Sequence, residues 1–102
     1  MNDITIVKVL TELGNESRLS IFRLLIKHGS EGLIVGEIGT ELNIAPSTLN
    51  FHLKGLFEAS LIKQVKESRS IRSFANLEPL KNVLDILQLE CCSEMQENDC
   101  CD

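Results

Sequence analysis

The amino-acid sequence predicts a mainly α fold of the α+β kind, with elements in the order α-α-α-α-β-β-α, and three observations predict it. Apolar residues recur at helical spacing in four N-terminal segments and one C-terminal segment, each bounded by Asn, Pro or Gly. Between residues 62 and 75 the apolar period changes to two. At 102 residues, 43% of them hydrophobic and 25% charged, the chain has the size and composition of one domain around a single modest core.

The first helix is predicted over 3–13, where Ile6, Val9, Leu10 and Leu13 share a face, Asn2 or Asp3 can cap the start and Gly14 the end. In NESRLSIFRLLIKHG, Asn15 caps a second helix, Glu16 sits in its first turn, Lys27 and His28 in its last, and Gly29 follows it. Its middle (Leu19, Ile21, Phe22, Leu24, Leu25, Ile26) is apolar on most sides, which places this helix at the centre of the fold. GSEGL reads as a turn. Two short helices then follow, 36–43 and 46–59. Pro46 suits the first helical position of the second. Such a pair joined by a tight turn is a helix-turn-helix, with 36–43 as the supporting helix and 46–59 as the recognition helix. Ile62–Glu67 and Ile71–Ala75 alternate around the polar turn 68–70 and predict a β-hairpin. Pro79 opens the last helix, predicted to reach about Glu90, with Leu80, Val83, Leu84 and Leu87 in a stripe that Cys91 continues.

On the helix 46–59, Leu49, Leu53, Leu56 and Phe57 fall within about 100° of arc and predict the buried side. Ser47, Thr48, Asn50, Phe51, Lys54 and Glu58 populate the other side. Short hydrogen-bonding side chains near a helix N-terminus are what base-edge readout in the major groove requires, and an outward Phe51 can touch a thymine methyl. The charge distribution agrees. The net charge is −5, but the segment from Asp85 onward carries six acids and no Lys or Arg, which leaves residues 1–84 at +1. Lys54, Lys63, Lys66, Arg69 and Arg72 face only Glu58 and Glu67 within 54–72, a local +3. Lys66, Arg69 and Arg72 at or near the hairpin tip can clamp phosphates that flank the groove. Double-stranded DNA is the expected partner. The apolar surface of the first and last helices exceeds what so small a body can cover, so a symmetric homodimer through these two helices is expected.

All four cysteines lie in LECCSEMQENDCCD: Cys91, Cys92, Cys100 and Cys101. Clustered at one end they would staple nothing to the body, so a structural disulfide framework is not expected. Four thiols without a nearby His select a soft, thiophilic ion over calcium or magnesium. Zinc sites favour Cys pairs spaced by two to four residues, unlike these adjacent pairs. Trivalent arsenic or antimony takes three thiolates in a pyramid, which Cys91, Cys92 and one of Cys100 or Cys101 satisfy. The acids beside them should raise the thiol pKa values, which favours ion sensing over peroxide sensing. The expected organisation is a DNA-binding and dimerisation domain over 1–90 and an acidic sensory tail over 91–102.

No segment approaches the apolar length of a membrane span, and MNDITIVKVL lacks the basic start of a signal peptide, so a cytoplasmic protein without a membrane partner is expected. An enzyme is not expected. The chain has no phosphate-cradling glycine loop, no recognisable acid–base pair, and only His28 and His52 as imidazoles.

The stretches LGNESRLSIFRLL and GEIGTELNIAPSTLNFHLKGLFEASLI, followed by a basic hairpin, resemble the arsenical-resistance-repressor (ArsR/SmtB-type) family of winged helix-turn-helix metalloregulators over about residues 10–92. The resemblance implies a homodimeric repressor that holds its operator when metal-free and releases it when a toxic ion binds. It places Ser47, Thr48, Asn50, Phe51 and His52 at DNA-contacting positions, although His52 also lies near enough to the buried stripe for a structural role. Many members carry arsenite thiols in the supporting helix, but VGEIGTEL has none; others use His and Asp pairs on the last helix, and LEPLKNVLDILQLE has no His. A further branch carries a Cys-Cys pair just past the last helix, as here. The implied function is an arsenite- or antimonite-responsive repressor with As(III) or Sb(III) as inducer. The alternative is a redox-responsive or other soft-metal-responsive repressor of the same fold.

Overall fold

Cap residues set where the first helices of the polypeptide stop and start. The computed structural model describes the backbone of residues 2–94 and the side chains of 2–91. Its elements are α1 (Asp3–Leu13), α2 (Glu16–His28), a 3-10 turn (Gly29–Glu31), β1 (Leu33–Ile34), α3 (Val35–Leu42), α4 (Pro46–Glu58), β2 (Ile62–Glu67), β3 (Ser70–Ala75) and α5 (Glu78–Glu94). Asn2 Oδ1 accepts from the Thr5 amide at 2.9 Å, and Asn15 Oδ1 accepts from Ser17 and Arg18 at 2.9 and 3.1 Å. These bonds satisfy amides that the first helical turn leaves unpaired. Asn43 closes α3 in the left-handed region (φ 55°), and Pro46 opens α4 two residues beyond Ile44.

The core contains Val9, Ile21, Phe22, Leu25, Leu33, Ile38, Leu49, Leu53, Leu56, Leu61, Ile62 and Val83, so α1 to α5, β1 and β2 all bury at least one apolar side chain in it. α2 is central, as its composition predicts, but it is not buried all round. Ile21, Phe22 and Leu25 face the core, while Leu19 and Ile26 are exposed.

The hairpin forms where alternation predicts it, with β2 and β3 antiparallel, Glu67 opposite Ser70, and Ser68–Arg69 as the turn. A third strand, β1, is unanticipated in the sequence reading. It pairs with β3 (Leu33 opposite Ser73, Ile34 opposite Arg72), giving a sheet of order β1-β3-β2. Two residues have no period to read, and tertiary pairing alone makes them a strand.

Asn76 joins the hairpin to the last helix: its Nδ2 donates to the Ser60 carbonyl at 2.9 Å and its amide to the Leu61 carbonyl at 2.8 Å. α5 then begins one residue before Pro79 and continues through Glu94, four residues beyond its predicted end. Cys91 and Cys92 therefore belong to the helix. ECCSE contains no Gly or Pro, so nothing local stops the helix at Glu90. Val83 is fully buried against the body. Ile4, Val7 and Leu10 on α1 and Leu84, Leu87 and Leu89 on α5 remain exposed. No helix among the described residues is long and apolar enough to cross a membrane.

Candidate nucleic-acid interface

α4 stands with Leu49, Leu53 and Leu56 in the core, so the positions between them point outward. Ser47, Thr48, Asn50, Phe51 and Lys54 are all exposed, Phe51 at 67%. The Phe51 ring thus stands outward among polar side chains on the exposed face of α4. Asn50 of α4 and Arg69 of the hairpin line the same cleft of about 310 Å³, together with Ile34, Val35, Gly36, Ser70 and Ile71. The structure thus brings the polar helix face and the hairpin tip to one side of the molecule. None of the ion pairs among the described residues involves Lys54, Lys66 or Arg69, all three exposed.

Two residues of the expected set stand elsewhere. His52 is 9% exposed and turned inward, with Nδ1 3.4 Å from Arg18 Nη1. A guanidinium only donates, so this contact requires a neutral imidazole whose proton is on Nε2. Burial, and then the charge of Arg18, holds the imidazole pKa below its ordinary value, against a smaller opposing pull from Glu12. The position expected on the buried side, Phe57, is instead 52% exposed. His52 thus takes the structural role that its place beside the buried stripe allows, held by a partner on α2, and Phe57 stands at the exposed edge of that stripe.

Arg72 is the other. Its Nε lies 3.0 Å from Glu67 Oε2, and its Nη1 donates to the Glu31 carbonyl at 3.1 Å. The hydrogen bond to Glu67 raises its pKa. Arg72 ties the centre of the sheet to the 3-10 turn, whereas Arg69 projects from the tip. Arg69→Ala should therefore lower the dependence of log K on log salt by about 0.9, the loss of one phosphate neutralised. Arg72→Ala should weaken binding with less change of slope, and fluorescence-anisotropy titrations with duplex DNA from 50 to 300 mM salt read the difference.

Cys91 is half-buried in the last turns of α5 and is disulfide-bonded. No disulfide is expected there from the sequence. Of Cys92 the structure describes the backbone alone, and Cys100 and Cys101 lie outside the described residues. Among the described residues no group of three or more His, Cys, Asp or Glu is placed to hold a metal ion.

The helix-turn-helix domain family matches residues 13–65. An uncharacterized HTH-type transcriptional regulator, YceK of Bacillus subtilis (strain 168), is 41% identical over 63 residues, which cover 62% of this chain and 62% of that protein. The chain is similar in structure to an ArsR-like transcriptional regulator from Rhodococcus sp. RHA1 (TM-score 0.78, 23% identity, covering 88% of this chain and 82% of that one). It is similar also to reduced HlyU from Vibrio cholerae N16961 (TM-score 0.67, 27% identity, covering 88% and 93%). With a matching motif over more than half its length, and with the hairpin and closing helix in place around it, the chain belongs to the helix-turn-helix domain family and has the winged fold of ArsR-like regulators.

Proposed function

We propose that this chain is a transcriptional repressor of ArsR type that binds operator DNA as a homodimer and releases it when its C-terminal thiolates capture As(III) or Sb(III). The observation that supports the DNA-binding part is the shared cleft of Asn50 and Arg69, with the polar helix face and the hairpin tip on one side, where a helix could read bases while the tip holds phosphates. The exposed apolar side chains of α1 and α5 support pairing of two copies, which sets two recognition helices for two half-sites. Cys91 lies four residues beyond Leu87, on the face that the pairing would cover.

Thiolates of Cys91 and Cys92, with Cys100 or Cys101, would hold the ion, and its bonds to sulfur supply the free energy of the switch. An ion that fits one of two dimer arrangements better shifts the population between them; reversal from 99:1 to 1:99 needs about 5.5 kcal/mol of differential affinity. A second reading, a redox-responsive repressor, is favoured by the disulfide at Cys91 and by the likeness to HlyU, of which a reduced form is known. A mobility-shift titration of the reduced protein separates the two. Release of duplex operator by arsenite, lost on serine replacement of Cys91 or Cys92, is the expected result; retained binding with arsenic bound, or release by peroxide alone, rejects the ion reading.

A further inference from the structure

Glu12 of α1 is 6% exposed, and a carboxylate so buried costs several kcal/mol unless cations compensate it. Two do. Lys8 Nζ lies 2.8 Å from Oε2, and Arg18 Nε of α2 lies 3.1 Å from Oε1. The Arg18 Nε–H also donates to the Glu12 carbonyl oxygen at 3.1 Å, so Oε1 is held by charge without a well-formed hydrogen bond of its own. The other side of the carboxylate is the recognition helix. A Cβ at Gly55 would overlap Glu12 Oε1 and stand 3.0 Å from its Cδ, so any larger residue there must displace the Glu12 carboxylate from its cations. One turn earlier His52 meets the same Arg18, and Lys8 Nζ is 3.9 Å from Glu58 at the end of α4.

Three helices thus meet at one polar knot on the flank of α4 that carries His52 and Gly55, between the apolar core face and the exposed Phe51, whose ring lies 5.8 Å from that of His52. Apolar contacts between helices tolerate small slips. A carboxylate seated between two cations and a missing side chain has one register. We infer that Glu12 is a positioning residue for the recognition helix: its carboxylate fixes the rotation and depth of α4 against α1 and α2, and passes a displacement of α1 on to the DNA-reading face. The consequence for DNA rests on the function proposed above; the knot itself does not.

The test has readouts that do not need DNA. In Glu12→Gln, which keeps the shape and removes the charge, the His52 imidazole pKa followed by NMR should fall below that of the wild type, because the attraction of Glu12 is lost while Arg18 stays. Gly55→Ala alone should lower the melting temperature, and Glu12→Asp, with its shorter carboxylate, should restore much of that loss in the double variant. With duplex operator, Glu12→Gln should bind about tenfold more weakly at an unchanged salt slope, since no phosphate contact is removed. Circular dichroism checks that each variant is folded, and Glu12→Asp serves for binding if Glu12→Gln is not. Additive effects at 12 and 55, an unmoved His52 titration, or wild-type affinity in a folded Glu12→Gln overturns the inference. Absence of DNA binding by the wild type overturns the proposed function instead, and the titration and the double variant still decide the knot.

Discussion

Val7→Glu combined with Leu87→Glu should convert the protein to a monomer and lower its operator affinity by about 100-fold or more. Both side chains are exposed on the single chain, so the charges break nothing within it. In a pair formed through α1 and α5 they would be buried against apolar partners, where an unpaired carboxylate is not tolerated. Two recognition helices joined in one body gain about 10² to 10⁴ in avidity over one, and that factor is what a monomer forfeits. Sedimentation equilibrium gives the mass and mobility shift gives the affinity. A wild-type mass equal to one chain would remove the dimer from the proposal.

Gly32→Ala should destabilise the fold by about 3 kcal/mol or more, through the sheet. Gly32 has φ 60° and ψ −172°, a region that side-chain-bearing residues hardly occupy. A Cβ there would also lie 2.5 Å from the Ser73 carbonyl oxygen and 2.7 Å from the Phe74 ring. The backbone cost and the overlap each contribute about 1–3 kcal/mol. For a domain of this size the melting temperature should drop by roughly 12 °C or more. β1 leads directly from Gly32 and pairs with β3, so the sheet that carries Arg69 loosens with it. A drop of only a few degrees would mean that the strand is not seated as described.

Much of this architecture is legible in the sequence because it rests on local signals. Asn2, Asn15, Gly14, Gly29 and Pro46 each act within one helical turn, and the alternation at Ile62–Glu67 needs only its own strand. What is not legible depends on partners far along the chain. Glu12 reads as one more charge on a solvated helix face until Arg18 and Gly55 are brought against it. His52 stands between two readings, a DNA contact and a structural place beside the buried stripe, until Arg18, 34 residues earlier, is found beside its ring. One signal was available: a glycine inside a helix costs about 1 kcal/mol against alanine, so Gly55 in the middle of the recognition helix marks a close approach by something. Arg72 and Arg69 are equally basic in the sequence, and only the register opposite Val65 and Ile34 brings one of them to Glu67 and the Glu31 carbonyl.

The sheet order has a bearing on how the protein survives at high concentration. With β3 in the middle, the six residues of β2 form an outer edge whose unpaired amides and carbonyls offer a template for another chain to extend. Lys63 and Lys66 sit on that edge, exposed, and stacking a second copy there would bring like charges together. A pair of charges placed for another reason on an outer strand thereby also keeps the protein out of fibres, so a variant that trades Lys63 and Lys66 for Val or Thr gives up solubility.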